Sequence, residues 1–376
     1  MLVERQALEE LHEMNNHQEE LGGSGYSSRE TPNRQTQMNK KERRKYPSLR
    51  SFTWSENLEK SEGQLLVENT VHEWYNAKHA TSSVSEIDFI NSLDIKQCPF
   101  CGSHDFTKYG HKNDGTQRYI CKGCGKRFTA LTNTIFDSKK IPISEWIEYL
   151  LHLFEFHSIN STAYDNRNSP TTGKYWLIKT FEVLKGIQDN VVLDGTVYLD
   201  ETYFTKAKSK LATKDGKKLR GISRNKIGVG VACNETKSIF IVTGTSKPSR
   251  KSTKETYSKH IARGSILVHD DEHSHSILIE ELELESKVYS TRETKGLSDK
   301  DNPLYPVNNL HLLLKQFIRN HGAYDREQLQ DWLNLFWFIM NDPKDKYDKV
   351  LKFIEMAVLS PKRVRYRDAM SSKHSK

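Results

Sequence analysis

Four cysteines occur as two C-x-x-C pairs, and each pair is followed by glycine. Cys98 and Cys101 form the first pair, Cys121 and Cys124 form the second, and 19 residues separate the pairs. Thiolate pairs at this spacing are typical of zinc ribbons, and because cysteine fills all four positions, no coordination site stays open. The sequence therefore predicts a structural Zn²⁺ ion, with a disulfide pair or unligated thiols as the alternative, and catalytic residues elsewhere in the chain.

Two aspartates directly follow short apolar runs that predict β-strands. Asp200 follows residues 196–199, and Asp270 follows residues 265–269. Strand ends line the crevice of open α/β sheets, and carboxylates that meet there can hold Mg²⁺ ions for phosphodiester chemistry. We therefore predict that Asp200 and Asp270 are catalytic Mg²⁺ ligands. Two alternatives stay open, since a strand-end aspartate is often only a turn residue or a helix cap, and Asp271 adjoins Asp270.

A third functional side chain is expected later in the chain, within residues 306–317. Asn308, His311 and Lys315 lie there at positions i, i+3 and i+7. On a helix these positions share one face, so all three are candidate catalytic residues. For Asn308, a helix cap is the alternative interpretation.

Basic residues are concentrated between the first two predicted strands. Residues 206–226 contain nine Lys or Arg and only Asp215 as an acid. Such a run is often a solvated hairpin, but beside a catalytic strand it is suited to neutralising DNA phosphates. The predicted DNA-binding residues here are Lys217, Lys218, Arg220 and Arg224.

Composition and charge favour a polyanionic partner. The 376 residues include 57 Lys and Arg against 49 Asp and Glu, a net charge of +8, which favours nucleic acid. No apolar run approaches the roughly 18 residues of a membrane span, and acids in the first ten residues argue against a signal peptide. These features predict a chain in the reducing cytoplasm, without a membrane partner.

Apolar periodicity predicts two helices after the ribbon, one from Ser144 to Phe156 and one from Thr171 to Leu184. With the polar break between them, they form a candidate helix-turn-helix in which Lys174 and Lys179 face DNA. An ordinary helical linker is equally compatible with the pattern.

The pattern after residue 194 changes from helices to strands. Three strands, a helix, a fourth strand, a further helical segment and a fifth strand match a ribonuclease H-like α+β fold, with a mixed sheet and flanking helices. The predicted domains are a flexible basic region 1–60, a helical lead-in 61–92, a zinc ribbon 93–135, a helix-turn-helix-like segment 140–192, a catalytic domain 194–345, and a C-terminal helix with a basic tail 346–376.

Three segments in the same order resemble the zinc-ribbon insertion-sequence transposases of bacteria, whose catalytic domain is a ribonuclease H-like fold of the DDE type. They are the ribbon through Phe136, the segment Leu199–Phe204, and the helix from Val307 to Lys315. The resemblance covers roughly residues 95–342. It implies Mg²⁺-dependent DNA cleavage and strand transfer, with Asp200 and Asp270 as the first two metal ligands.

The same resemblance implies the partners. These are double-stranded DNA, as terminal inverted repeats and as target, and a homodimer or higher oligomer assembled on the DNA ends. It also implies a location at the bacterial nucleoid. Lys315 corresponds to a phosphate-contacting role, as a point-charge donor.

One position departs from the family pattern. Many relatives place Glu three residues after the asparagine, where this chain has His311, so Asn308, His311 or both are candidates for the final ligand. This departure keeps two other functions open. One is a catalytically inactive zinc-ribbon DNA-binding regulator derived from a transposase, and the other is a structure-selective nuclease without strand transfer.

Overall fold

A helix and a small antiparallel sheet form the zinc-ribbon region. Helix α1 is Ser82–Ser92, and strands β1, β2 and β3 are Phe106–His111, Gln117–Cys121 and Arg127–Phe128. Three aromatic rings, one from each strand, pack edge-on or stacked at centroid distances of 5.4 to 5.7 Å; they belong to Phe106, Tyr119 and Phe128. So small a sheet has little other apolar core, which is why a metal is expected to support it.

The computed structural model describes residues 82–137, 143–166, 168–207, 210–214, 217–321, 326–359 and 362–370. The predicted region 1–60, the first part of the predicted lead-in 61–92, and the end of the predicted basic tail lie outside these residues. In the part of the chain that is described, no helix is both long enough and apolar enough to cross a membrane.

Three helices follow the ribbon. They are α2 (Ile143–Phe154), α3 (Ile159–Asp165) and α4 (Pro170–Leu184). Residues next to the start of α4 fix where this helix begins. Ser169 caps the helix by accepting a hydrogen bond from the Thr172 amide, and proline occupies the first turn.

The next segment alternates between strands and helices. In chain order its elements are β4 (Thr196–Thr205), the hairpin β5 (Thr213–Lys214) and β6 (Lys217–Lys218), β7 (Lys226–Cys233), β8 (Ser238–Thr245), α5 (Arg250–Tyr257), β9 (Ile266–His269), a 3₁₀ turn (His273–His275), α6 (Ser276–Leu282) and β10 (Glu285–Val288). Five of these strands form one sheet in the order β10-β9-β4-β7-β8.

Strand directions identify the sheet. β4, β7 and β8 form an antiparallel meander, whereas β4, β9 and β10 run parallel. An antiparallel meander whose first strand pairs in parallel with the fourth is the ribonuclease H-like arrangement. The predicted fold class, a mixed sheet with flanking helices, is therefore confirmed.

Helices complete the chain after the sheet. They are α7 (Thr291–Thr294), α8 (Tyr305–Asn320), α9 (Leu329–Met340), α10 (Lys346–Leu359) and α11 (Tyr366–Met370). Helix α8 contains the segment in which the third functional residue was expected.

The sheet separates two apolar layers. On one face, Val197, Leu199 and Leu267 pack with Tyr257 of α5 and Leu278 of α6. On the other face, side chains of β7, β8 and β9 pack against α8 and α9 in a core that also takes in α2, α4, α10 and the residues that follow the ribbon. Successive residues of each strand therefore face different layers.

The segment predicted to be helix-turn-helix-like contains three helices instead of two. A short helix, α3, lies between the two predicted helices, and α4 packs against both α3 and α9. Eight of the 15 residues of α4 are buried, because α4 forms part of the core beside the sheet.

Candidate active site and metal centre

Asp200 lies at the position where one of its two neighbouring strands stops. The pairing of β4 with β9 ends at Leu199 and His269, whereas the pairing of β4 with β7 continues to Thr205. Asp200 is therefore not at the end of its own strand, as the sequence suggested, but at the first position that β9 leaves uncovered. Its Oδ1 accepts the Glu201 amide at 2.7 Å.

Asp270 directly follows the end of β9. Its Oδ1 accepts the Glu272 amide at 3.2 Å, which holds the carboxylate at the turn after the strand. The neighbouring Asp271 is exposed. Because β4 and β9 are parallel and in register up to Leu199 and His269, Asp200 and Asp270 are the next residues on the two strands.

Both carboxylates have raised pKa values. Burial, with the negative charges of Asp270 and Glu201, raises the pKa of Asp200 to about 7. Burial, with the charge of Glu201 among the other causes, also raises the pKa of Asp270. Burial is the largest cause of both shifts, and the charge of His275 opposes them only in part. A divalent cation at the two carboxylates would stabilise their ionised forms.

His311 reaches this cluster from α8. It belongs to the buried face of the helix with Val307 and Leu314, and its Nδ1 lies 3.7 Å from Asp200 Oδ2. The other ring nitrogen, Nε2, is buried and has no hydrogen-bond partner among the described residues. Burial and the charge of Lys315 lower the pKa of His311 to about 4, so at neutral pH it is a neutral imidazole, the form that binds metals.

The other two predicted residues of α8 are exposed. Asn308 lies about one turn before His311 and Lys315 about one turn after it, and both face solvent. The structure thus brings together Asp200, Asp270 and His311, while Asn308 and Lys315 lie at the margin of the same helix face.

A buried hydrogen-bond network lies on the opposite face of β4. Glu201, one residue after Asp200, accepts the Tyr257 hydroxyl at 2.8 Å and lies 3.4 Å from His275 Nε2. The Nδ1 atoms of His275 and His269 are 3.1 Å apart, and His269 Nε2 is 3.0 Å from Ser286 Oγ. The network therefore joins β4, α5, the 3₁₀ turn, β9 and β10.

The histidine of this network with a raised pKa is His275. Burial alone would lower its pKa, but the hydrogen bond to Glu201 and the charges of Glu201 and Asp270 outweigh burial and raise it. Burial and the charge of His275 lower the pKa of His269 to about 4. A protonated His275 can then donate to both Glu201 and the neutral His269, and it lies 3.8 Å from Asp270 Oδ1.

Gly230 makes room for this network. It is the partner of Glu201 on β7, and a Cβ atom at this position would lie 2.1 Å from the Tyr257 hydroxyl oxygen. Tyr257 was not predicted as a site residue, although a glycine inside a strand can indicate close approach of another group.

The four cysteines are arranged as a metal site. Their sulfur atoms all lie within 4.8 Å of one another, with 3.8 Å between Cys98 and Cys124 and 3.6 Å between Cys101 and Cys121. Zinc–sulfur bonds of about 2.3 Å in a tetrahedron place two sulfurs about 3.8 Å apart. Gly102 and Gly125 have φ of 74° and 69°, as the two turns need. The residues present therefore fit Zn²⁺.

The predicted DNA-contacting residues divide into two groups. Lys179 is buried, donates to the Ile135 carbonyl and lies 4.5 Å from the centroid of the Tyr175 ring, so its prediction as a DNA contact is wrong: the ammonium is used inside the core. Lys174 is exposed on α4. The four residues predicted in the basic segment, Lys217, Lys218, Arg220 and Arg224, are also exposed.

Among known proteins, weak similarity is found to solved structures and none to family models or curated sequences. No family model and no curated protein matches this sequence. The catalytic domain of Mos1 mariner transposase is 15% identical, with 50% of this chain and 94% of that chain covered and a TM-score of 0.25. A pre-cleavage Mos1 transpososome is 12% identical, with 61% and 78% covered and a TM-score of 0.23. The strand order and directions described above, not these weak overlaps, identify the fold.

Loss of one thiolate should release the zinc. We expect Cys101→Ser to bind about one Zn²⁺ fewer per chain than wild type and to unfold the ribbon, because a structural zinc site folds with its metal. Metal analysis together with thermal denaturation measures this. Cys233→Ala is the matched control, since Cys233 lies in β7 outside the cluster; a full zinc complement in Cys101→Ser would contradict the assignment.

Filling the space at Gly230 should uncouple the buried network. We expect Gly230→Ala to lower the free energy of unfolding by about 1–3 kcal/mol, the usual cost of overpacking, because the added methyl displaces the Tyr257 hydroxyl from Glu201. Denaturant unfolding of Gly230→Ala, Tyr257→Phe and the double variant measures the coupling. If the two losses simply add, the methyl group and the hydroxyl do not compete for this space.

Proposed function

We propose that this chain is a DDE-type transposase that cleaves double-stranded DNA and transfers the resulting strand in a reaction dependent on a divalent metal. The observation that supports this most is the position of Asp200, Asp270 and His311, at the point of a ribonuclease H-like sheet where β9 stops and α8 crosses. No other element of the described chain combines two perturbed carboxylates with a neutral metal-binding side chain.

The residues of the proposed metal site have different roles. Asp200 and Asp270 would hold the cation through oxygen ligands, which Mg²⁺ and Mn²⁺ prefer, and His311 would add a neutral nitrogen. A bound divalent cation activates the attacking hydroxyl and stabilises the leaving oxygen in phosphodiester chemistry. Glu201, Tyr257 and His275 act from behind the sheet, where their hydrogen bonds hold β4 and the turn after β9 in place.

Exposed basic side chains support DNA as the substrate. The hairpin β5–β6 carries Lys217 and Lys218 into solvent. Asn225 anchors its base, since its side chain exchanges two hydrogen bonds with the Ala212 backbone at 2.7 and 2.8 Å. On the ribbon, Arg127 lies 4.5 Å over the exposed Tyr109 ring. Phosphate contacts by such groups give affinity without sequence preference.

The resemblance of the sequence to insertion-sequence transposases extends the proposal to a particular substrate and assembly. The DNA would be the terminal inverted repeats of a mobile element, with Mg²⁺ as the physiological cation. A dimer or larger oligomer would bring two such ends together before strand transfer.

The cleavage reaction tests the proposal. The substrate is a duplex that joins the end of the DNA element encoding this chain to its flanking sequence, incubated with Mg²⁺ or Mn²⁺. We expect wild type to nick at the junction and Asp200→Asn and Asp270→Asn to lose more than about 100-fold in rate, since even the outer partners of a metal site are worth about 10- to 100-fold. Gel analysis of end-labelled strands measures the products.

Asp271→Asn is the matched control, because this substitution removes the same charge at an exposed residue directly after Asp270. It should keep activity near wild type. Binding without cleavage in wild type, with either metal, would instead favour the DNA-binding regulator. Cleavage without joining of the 3′ end to a second duplex would favour the nuclease.

The salt dependence of binding tests the hairpin. We expect Lys217→Ala/Lys218→Ala to reduce the slope of log affinity against log salt by about 2, because each phosphate contact contributes about 0.9 to that slope. Fluorescence anisotropy with a labelled duplex from 50 to 200 mM salt measures the slope. Lys251→Ala, at an exposed lysine on α5, is the control; equal slopes for both variants would exclude the hairpin as a specific contact.

A further inference from the structure

Two histidines and one aspartate, residue types that commonly bind metals, lie close together where the loop connects α2 to α3. His152 is in the last turn of α2, His157 is in the connecting loop, and Asp165 is the last residue of α3. One ligand atom of each lies within 4.8 Å of the others. His152 Nδ1 is 3.8 Å from Asp165 Oδ2, and the two imidazoles stack with centroids 5.1 Å apart at 25°.

The backbone fixes this corner. Phe156 adopts φ of 64°, which is uncommon for a bulky residue, and the His157 amide donates to the His152 carbonyl at 3.0 Å. The Phe156 ring packs in the core, 5.1 Å from the Phe317 ring, while Asn320 donates to the Phe156 carbonyl at 3.2 Å. The turn that returns His157 over His152 is thus held by the core and by α8.

The polar atoms that converge here lack good partners within the described residues. His152 Nδ1 is buried and makes no hydrogen bond there, because 3.8 Å to Asp165 is too long for one. Asp165 Oδ2 accepts only a long contact of 3.4 Å from Ser161 Oγ. The side chains of His157 and Asp165 are exposed. Small rotations of these two side chains can therefore bring their ligand atoms closer to His152.

We propose that His152, His157 and Asp165 form a surface site for a divalent transition metal ion such as Zn²⁺, distinct from the four cysteines and from the cluster around Asp200. Two imidazoles and one carboxylate are a common zinc ligand set with an open fourth position. The same set disfavours Mg²⁺, which prefers oxygen ligands and water. Ligand bonds of about 2.0–2.1 Å in a tetrahedron place neighbouring ligand atoms about 3.3 Å apart, close to the 3.8 Å present between His152 and Asp165.

The site would join the end of α2 to the end of α3. Its metal would tie the loop that carries Phe156 to Asp165, and Phe156 contacts α8, the helix of His311. The role is therefore structural, and it does not depend on the proposed transposase reaction.

Zinc stoichiometry tests the site in the full chain. The background is Asp200→Asn/Asp270→Asn, which removes metal binding at the carboxylate pair, with the ribbon loaded with zinc. We expect this protein to bind one further Zn²⁺ by isothermal titration, and His157→Ala and Asp165→Asn each to weaken that binding at least about 10-fold, as expected when a metal site is altered. His111→Ala, at an exposed imidazole on β1, should leave it unchanged.

Hydrogen exchange gives a second readout that does not depend on the number of ions. Zinc should slow exchange of the amides in residues 155–166 in the background protein and not in His157→Ala. Binding that is unchanged in both site variants, or lost equally in His111→Ala, would overturn the proposal and leave His152 and Asp165 as an ordinary surface pair.

Discussion

Three acidic residues, Asp200, Glu201 and Asp270, lie close together in the five-stranded sheet, and the surrounding structure must accommodate their negative charge. Asp200 and Glu201 are consecutive on β4 and therefore project to opposite faces, and Asp270 lies beside Asp200 at the end of β9. Glu201 is compensated within the protein by the Tyr257 hydroxyl and by His275. Asp200 and Asp270 each accept a backbone amide instead, and burial with the charge of Glu201 raises the pKa of both, although the charge of His275 opposes the shift. The unbalanced negative charge is thus confined to the one face where α8 and solvent meet.

The rest of the fold keeps these charges in place. Strand β9 is short, so its pairing with β4 ends before Asp200, while β7 pairs with β4 as far as Thr205 and holds the strand through the site. Helix α8 is fixed by the apolar layer that also contains α2, α4 and the residues after the ribbon. The residues after the ribbon, the helices and the sheet therefore share one core on this side, whereas the strands of the ribbon pack in a small cluster of their own. Residues on both sides of the predicted boundary near residue 194 contribute to the shared core.

The sequence predicted those parts of the fold whose patterns are local. The apolar runs located the strands, the cysteine spacing located the metal centre, and the positions of Asp200 and Asp270 after apolar runs pointed to the cluster. The extension of β4 through Asp200 and Glu201 was not predictable, because two consecutive acids look like a strand end unless each has a partner on its own face. Lys179 was misplaced for a related reason, since its partners, the Ile135 carbonyl and the Tyr175 ring, come together only in the folded core. Helix α3 was missed because its seven residues carry little apolar periodicity, and its support comes from close packing of Ala163 against Gly173.

Two buried histidines show why a perturbed pKa alone does not identify the site. Burial lowers the pKa of both His311 and His321 to about 4, so both are neutral imidazoles. His321 lies among aromatic rings, 4.4 Å from Trp332 and 4.9 Å from Phe317, where a neutral ring packs as an apolar group. His311 lies 3.7 Å from Asp200, whose pKa is raised to about 7 by burial and by the charges of Asp270 and Glu201. A neutral imidazole leaves that negative charge in place and offers a cation a nitrogen ligand beside a carboxylate. This is the physical reason for assigning His311 to the proposed metal-binding cluster and His321 to the core.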